Sequence, residues 1–147
     1  MRYLALSMIF ATSFAPDRPA PRDPPKPMVM DFEQLQGTWT LVAQETENGK
    51  SDAEALKNHP KLIIKGHQFG WSSPDGGTFK LDPTKTPKTI DYLTGPDAAP
   101  KTVWQGIYEI NGDTFRDCMA PPGRPRPRDF STPPASGYRI EVLKRVP

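Results

Sequence analysis

The sequence predicts an all-β fold, an eight-stranded antiparallel up-and-down barrel with one short helix. From Asp31 onward, apolar and polar residues alternate with a period of two, as in strands that bury one face. Turn-forming residues interrupt this alternation every eight to twelve residues, which is typical of sandwiches and barrels. Short connections between successive strands favour an up-and-down order. About eight strands suffice to close such a sheet, leaving room inside for side chains or one small ligand.

Eight strands and one helix account for most of residues 31–147, the predicted barrel domain. The predicted strands cover residues 37–46, 61–65, 67–72, 77–82, 88–93, 102–110, 113–119 and 138–146. Asn111 and Gly112 form the strongest local hairpin signal, because this dipeptide suits a two-residue turn. The short helix is predicted over residues 51–58, where Ser51 and Glu54 form a capping box and Pro60 ends it.

Two segments precede the barrel domain. Residues 1–15 have the layout of a secretory signal peptide: Arg2, an apolar stretch, then Ser13 and Ala15 at positions −3 and −1 of a cleavage site. The alternative is a buried N-terminal strand or helix. The stretch is shorter than the roughly 20 apolar residues that span a bilayer, so we expect a secreted or periplasmic protein without stable membrane insertion after cleavage. Residues 16–30 are rich in proline and charge, which predicts an extended linker.

The motif Gly37-Thr38-Trp39 at the start of the first strand is a G-x-W, as in lipocalins. Together with the strings LQGTWTLV, GTFKLDPTKTPKTID, GIYEINGDTF, CMAPPGRPRPRDFSTPPASG and EVLKR, it resembles a small lipocalin-like domain that occurs in many copies in planctomycetes. The resemblance covers residues 35–145. It implies the barrel fold and export, and the family has no settled activity.

The resemblance also implies how one end of the barrel is closed. In lipocalins the G-x-W tryptophan lies under the closed end, covered by a basic residue of the last strand. First and last strands of an up-and-down barrel are antiparallel neighbours, so the C-terminal bases come close to Trp39. We therefore expect Gly37, Trp39 and Arg145 to close the barrel, with Lys144 as the alternative base. A guanidinium stacked on the indole contributes roughly 0.5–2 kcal/mol.

The sequence lacks the usual constellations of catalysis and metal binding. His59 and His67 belong to no zinc-binding motif, and His67 is either a core residue or points into the barrel. Cys118 is the single cysteine, either a buried small hydrophobe or a pairing thiol. Asp113 and Asp117 are best explained as a solvated face of one strand. We therefore expect no catalytic residues, no metal site, no cofactor and no enzyme.

Charge and loop composition limit the possible partners. Nucleic-acid binders usually present a strongly basic face, and the formal net charge of +2 gives no indication of one, so we expect no nucleic-acid partner. The segment of residues 121–128 carries Arg124, Arg126 and Arg128 between prolines. It could bind an acidic group or serve as a polyproline ligand, but a stiff solvated loop is the simpler interpretation. The sequence does not identify a protein partner.

Aromatic residues at alternating strand positions carry the functional hypothesis. Such rings either fill a small barrel or line an apolar cavity with a few polar groups. The first case predicts a structural or protein-interaction domain that acts through its Pro/Arg-rich loop, and the second a binding module for a small, largely apolar ligand. We favour the binding module. The candidate interior residues are Phe69, Trp71, Phe79, Tyr92, Trp104, Tyr108 and Phe115.

Overall fold

The computed structural model describes residues 27–96 and 101–147, which form one α-helix, one short 3₁₀ helix (Pro74–Gly76) and nine strands. The helix is α1 (Pro27–Leu35). The strands are β1 (Gly37–Thr46), β2 (Gly49–Ser51), β3 (Leu62–Lys65), β4 (Gln68–Trp71), β5 (Gly77–Asp82), β6 (Thr89–Thr94), β7 (Thr102–Asn111), β8 (Thr114–Ala120) and β9 (Arg139–Arg145). The predicted signal peptide, residues 1–15, and most of the predicted linker lie outside the described residues.

The sheet closes on itself. Strands β3 to β9 pair in sequence order, all antiparallel, and β1 joins the two ends by pairing with β3 on one side and β9 on the other. The short β2 pairs with the last three residues of β1 and is not one of the eight strands that close the barrel. The prediction of an all-β, eight-stranded antiparallel barrel with one short helix is therefore confirmed.

The helix occupies a different place from the one predicted. Residues 53–58 form consecutive turns instead, because Ser51 pairs with Gln44 in the sheet and cannot act as the N-cap. The segment left between Ser51 and Pro60 is too short for a stable isolated helix. The helix that forms, α1, begins at Pro27, so the extended conformation predicted for residues 16–30 is wrong for its last four residues.

Helix α1 lies across the end of the barrel where β1 begins, which we call the closed end. Leu35 at its C-terminus is fully buried. Asp31 is also buried, and its Oδ2 accepts hydrogen bonds from Tyr108 Oη at 2.7 Å and Lys88 Nζ at 2.8 Å. The opposite end, where β9 begins, is the open end. Helix α1 is therefore held to the barrel by the apolar side chains of Leu35 and Phe32 and by the polar contacts of Asp31.

Besides the core inside the barrel, a separate apolar cluster lies on its outer face. Ile107, Cys118 and Ile140 point outward from three neighbouring strands and pack against Phe130 and Tyr138 of the segment that connects β8 to β9. Cys118 is buried there, which confirms the prediction of a small buried hydrophobe. Burial, followed by the negative charge of Asp117, raises the pKa of its thiol to about 12, so the thiol stays protonated at neutral pH.

Candidate functional site

The barrel interior holds a cavity of about 340 Å³ near the open end. Its wall is mostly apolar, with a few polar side chains on one side. The lining residues are Leu62, Phe69, Gly70, Trp71, Gly76, Tyr92, Thr94, Trp104, Met119, Arg139 and Glu141. Strand alternation explains the composition, because successive residues of one strand face opposite sides of the sheet. The barrel is thus not filled solidly from end to end.

The seven aromatic residues predicted to lie inside the barrel divide into two groups. Phe69, Trp71, Tyr92 and Trp104 line the cavity. Phe79, Tyr108 and Phe115 belong to the buried core instead, where each is at most 2% exposed. In the core, the Phe115 ring makes tilted contacts with Trp39 and Tyr108, with ring centroids 5.8 and 6.5 Å apart. The part of the barrel nearer α1 is therefore packed with aromatic rings, and the cavity lies above it.

A buried carboxyl group lies behind the cavity wall. Asp117 is 2% exposed, and its Oδ2 accepts a hydrogen bond from Tyr92 Oη at 3.1 Å. Its Oδ1 is buried without a hydrogen-bond partner. Burial, followed by the negative charge of Glu141, raises the pKa of Asp117 well above its ordinary value. The prediction that Asp117 belongs to a solvated face is wrong, because β8 turns Phe115, Asp117 and Met119 inward together.

Glu141 is the second acidic group at the cavity. It is the register partner of Asp117 on the neighbouring strand, and it is 7% exposed. Gln44 Nε2 donates a hydrogen bond to its Oε1 at 3.2 Å. Arg139 Nε lies 2.9 Å from the same oxygen, an ion pair without the geometry of a hydrogen bond. The Arg139 guanidinium also lies 5.9 Å from the centre of the Trp104 ring.

The polar side of this cavity was not predicted from the sequence. A β-bulge between Leu41 and Ala43 shifts the alternation of β1, so that the amide of Gln44 reaches Glu141. The sequence of β1 gives no indication of that bulge. The spacing of Arg139 and Glu141 two residues apart on the last strand places them on one face, and that signal was available.

At the closed end, the structure brings together the three residues predicted there. Arg145 is the register partner of Trp39, and its guanidinium lies 4.3 Å from the centre of the indole ring. Gly37 has φ of +118°, a backbone conformation that residues other than glycine rarely adopt. The Trp39 indole donates to Leu35 O at 2.9 Å, and Arg145 Nη1 donates to Gln36 O at 2.7 Å.

The arginines of the segment of residues 121–128 have different surroundings. Arg124 and Arg128 are exposed. Arg126 instead reaches the barrel, where its Nη1 donates to Gly106 O at 2.7 Å and Ile90 O at 3.1 Å, and its Nη2 lies 2.7 Å from Asp91. Arg126 therefore holds the segment against the outside of the barrel and has little capacity left for a partner.

The histidines lie outside the barrel interior. His67 is exposed in the turn between β3 and β4, where its ring is 4.6 Å from that of Phe32. Both interpretations of His67, as a core residue and as a residue pointing into the barrel, are therefore wrong. His59 packs edge-on against Trp71 at 4.5 Å. Within residues 27–96 and 101–147, no three His, Cys, Asp or Glu side chains form a group that could hold a metal ion.

The fold defines the class of this protein, a lipocalin-like β-barrel, and the barrel has an interior cavity. Comparison of the chain with protein-family models, curated proteins and solved structures found no match. Among the helices in the described part of the chain, none has the length and apolar character to cross a membrane.

Proposed function

We propose that this protein is an exported binding module that takes a small, largely apolar ligand into the cavity at its open end. One observation carries the proposal, namely the cavity of about 340 Å³ between Phe69, Trp71, Tyr92 and Trp104. Ligand sites are typically concave, about 300–1,000 Å³ in volume, with mostly apolar walls and a few placed polar groups. The cavity has these properties and lies near the lower limit of size.

The same proposal includes location, family and chemistry. Residues 1–15 support export to a secreted or periplasmic location, and the strings quoted above support kinship with the small planctomycete lipocalin-like domains. We propose no catalysis: nucleophilic chemistry needs a nucleophile beside an activating base, and the cavity lining contains neither a histidine nor a cysteine to fill these roles. The partner is thus a small hydrophobic molecule rather than a nucleic acid.

The proposal is tested by titrating the full-length chain with N-phenyl-1-naphthylamine, an uncharged aromatic probe whose fluorescence rises in apolar surroundings. We expect saturable binding. Thr94→Phe places a larger side chain in the cavity wall and should weaken binding at least tenfold. Thr78→Phe is the matched control, because Thr78 is exposed on the neighbouring strand β5 and does not line the cavity. Its affinity should equal that of the unmodified chain.

Two results would overturn the proposal. One is the absence of saturable binding to the unmodified chain. The other is equal affinity in Thr94→Phe and Thr78→Phe, which would place the probe elsewhere on the surface. Native mass spectrometry of the purified protein then identifies the natural ligand as a mass that disappears on denaturation.

A further inference from the structure

We infer that the ligand of the cavity is an amphiphile with an aromatic or other apolar body and an ammonium group, and that Asp117 and Glu141 receive the ammonium. The inference rests on the proposed function, since it names the chemical class of ligand for the same cavity. It is carried by three features of the site: a pair of buried acids, an unpartnered oxygen and an aromatic wall.

The first feature is the pair of acids. Asp117 and Glu141 are register partners on β8 and β9, and both are more than nine-tenths buried. Side chains of register partners lie on the same face of the sheet with Cβ atoms about 4.5–5.5 Å apart. Two like charges at such a distance, away from water, are unfavourable unless a cation compensates them. The pair therefore favours either a bound proton or, in exchange for that proton, a bound cation.

The second feature is incomplete compensation. Arg139 forms its ion pair with Glu141, whose Oε1 also accepts from Gln44. Asp117 receives a hydrogen bond only at Oδ2, from Tyr92, and its buried Oδ1 has none. An unsatisfied buried polar atom costs about 1–3 kcal/mol. A ligand ammonium has three N–H donors and a positive charge, so it supplies the donor that Asp117 Oδ1 lacks and adds to the positive charge that Arg139 already brings to Asp117.

The third feature is the wall on which the ligand body would lie. The rings of Phe69 and Tyr92 are in tilted contact with centroids 4.6 Å apart, and Trp71 and Trp104 complete the wall. Aromatic faces attract cations and pack well against another ring. Tyr92 belongs both to this wall and to the hydrogen bond with Asp117. The apolar wall and the acidic pair are thus continuous, as an amphiphile with one cationic end requires.

Ligands with other polar ends fit less well. A carboxylate would be repelled by the two acids, and to reach Arg139 it would have to displace Glu141 from its ion pair. A neutral alcohol can donate one hydrogen bond but brings no charge to offset the pair. For ligands that share the same apolar part, we therefore expect an ammonium to bind most tightly, an alcohol less tightly and a carboxylate most weakly.

Three matched probes test this order by isothermal titration calorimetry at pH 7: 2-phenylethylamine, 2-phenylethanol and 3-phenylpropanoate. We expect the amine to bind at least tenfold more tightly than the alcohol, and the carboxylate to bind most weakly. Asp117→Asn should weaken amine binding about tenfold and leave alcohol binding unchanged. Asp113→Asn is the matched control, since Asp113 is an acid near the start of the same strand with a side chain 79% exposed at the closed end. It should leave the affinity for all three probes unchanged.

Asp117→Asn is informative only if it folds, so a second measurement uses the unmodified chain. Titrations in two buffers of different ionisation enthalpy give the number of protons released on binding. Because burial raises the pKa of Asp117, a bound ammonium should displace protons from the acidic pair, and the alcohol should displace none.

The outcomes separate this inference from the proposed function. If N-phenyl-1-naphthylamine binds but the amine binds no more tightly than the alcohol, the inference is overturned and the binding module stands. Tighter binding of 3-phenylpropanoate would likewise overturn it and would assign the polar contact to Arg139. If neither the uncharged probe nor any of the three matched probes binds, the proposed function fails as well.

Discussion

Arg145 at the closed end offers the sharpest test of how the barrel is held together. Its guanidinium donates hydrogen bonds to the backbone carbonyls of Gln34 and Gln36 and stacks on Trp39 at 4.3 Å. Arg145→Met keeps much of the apolar stem and removes the charge and all these donors. A hydrogen bond to a charged group contributes about 1.5–3 kcal/mol, and a cation–π contact about 0.5–2 kcal/mol.

The free energy that Arg145→Met removes is smaller than those contributions added together. The Arg145 side chain is 28% exposed, so water can reach the freed carbonyls and the lower figures apply. The ion pair with Asp113 adds little, because the Asp113 side chain is 79% exposed and such surface pairs contribute at most about 1 kcal/mol. We expect a total loss of about 3 kcal/mol. At about 4 °C for each kcal/mol in a chain of this size, Tm falls by about 12 °C.

Urea unfolding followed by tryptophan fluorescence measures this loss, with Arg124→Met as the matched control because Arg124 is exposed. The control should unfold at the midpoint of the unmodified chain. A loss below about 1 kcal/mol for Arg145→Met, or an equal loss in both variants, would refute the account of the closed end.

Three further predictions concern the buried polar groups. Burial, then Glu141, raises the folded-state pKa of Asp117 above the ordinary 3.8, so the folded protein binds more protons than the unfolded chain, and stability should decline as pH rises from about 4 through the folded-state pKa. Asp117→Asn should remove that decline from urea midpoints measured between pH 4 and 8 without ligand, and an equally steep decline in the variant would argue against a buried, protonated Asp117. Tyr108→Phe takes one of two donors from the buried carboxylate of Asp31 and should lower the unfolding free energy by about 1–3 kcal/mol; an unchanged Tm would count against that cluster. Arg126→Ala should raise hydrogen exchange in the segment that connects β8 to β9, relative to Arg128→Ala, because only Arg126 reaches the carbonyls of Ile90 and Gly106; equal exchange in both variants would contradict this anchoring.

The barrel was predictable because its signals are local and repeated. Alternating apolar residues and short turns define eight strands, and each observed strand of the barrel lies within a residue or so of its predicted bounds. The proximity of Trp39 and Arg145 follows from closure alone, since an up-and-down barrel makes its first and last strands neighbours. The location of the helix was not predictable in the same way. Helix α1 owes its place to the burial of Leu35 in the barrel core and to Asp31, whose partners Lys88 and Tyr108 are 57 and 77 residues away in sequence.

Only part of the candidate site could be predicted from the sequence. Aromatic residues at alternating positions indicate a ring-lined interior, but no pattern tells which rings fill the core and which border empty space. That division depends on packing across the barrel. The acidic pair was hidden for another reason: a charged residue on a strand usually faces water, and Asp117 is an exception that only the facing of its neighbours Phe115 and Met119 could have suggested.

Binding of a ligand in the cavity can be detected directly through the three tryptophans of the chain. Trp71 and Trp104 line the cavity, whereas Trp39 lies at the closed end with its indole N–H bonded to Leu35. A titration with 2-phenylethanol, followed by ¹H–¹⁵N NMR of the three indole N–H groups, should shift the Trp71 and Trp104 signals saturably and leave Trp39 in place. Equal shifts of all three signals, or no saturable shift of Trp71 and Trp104, would contradict a ligand site in the barrel.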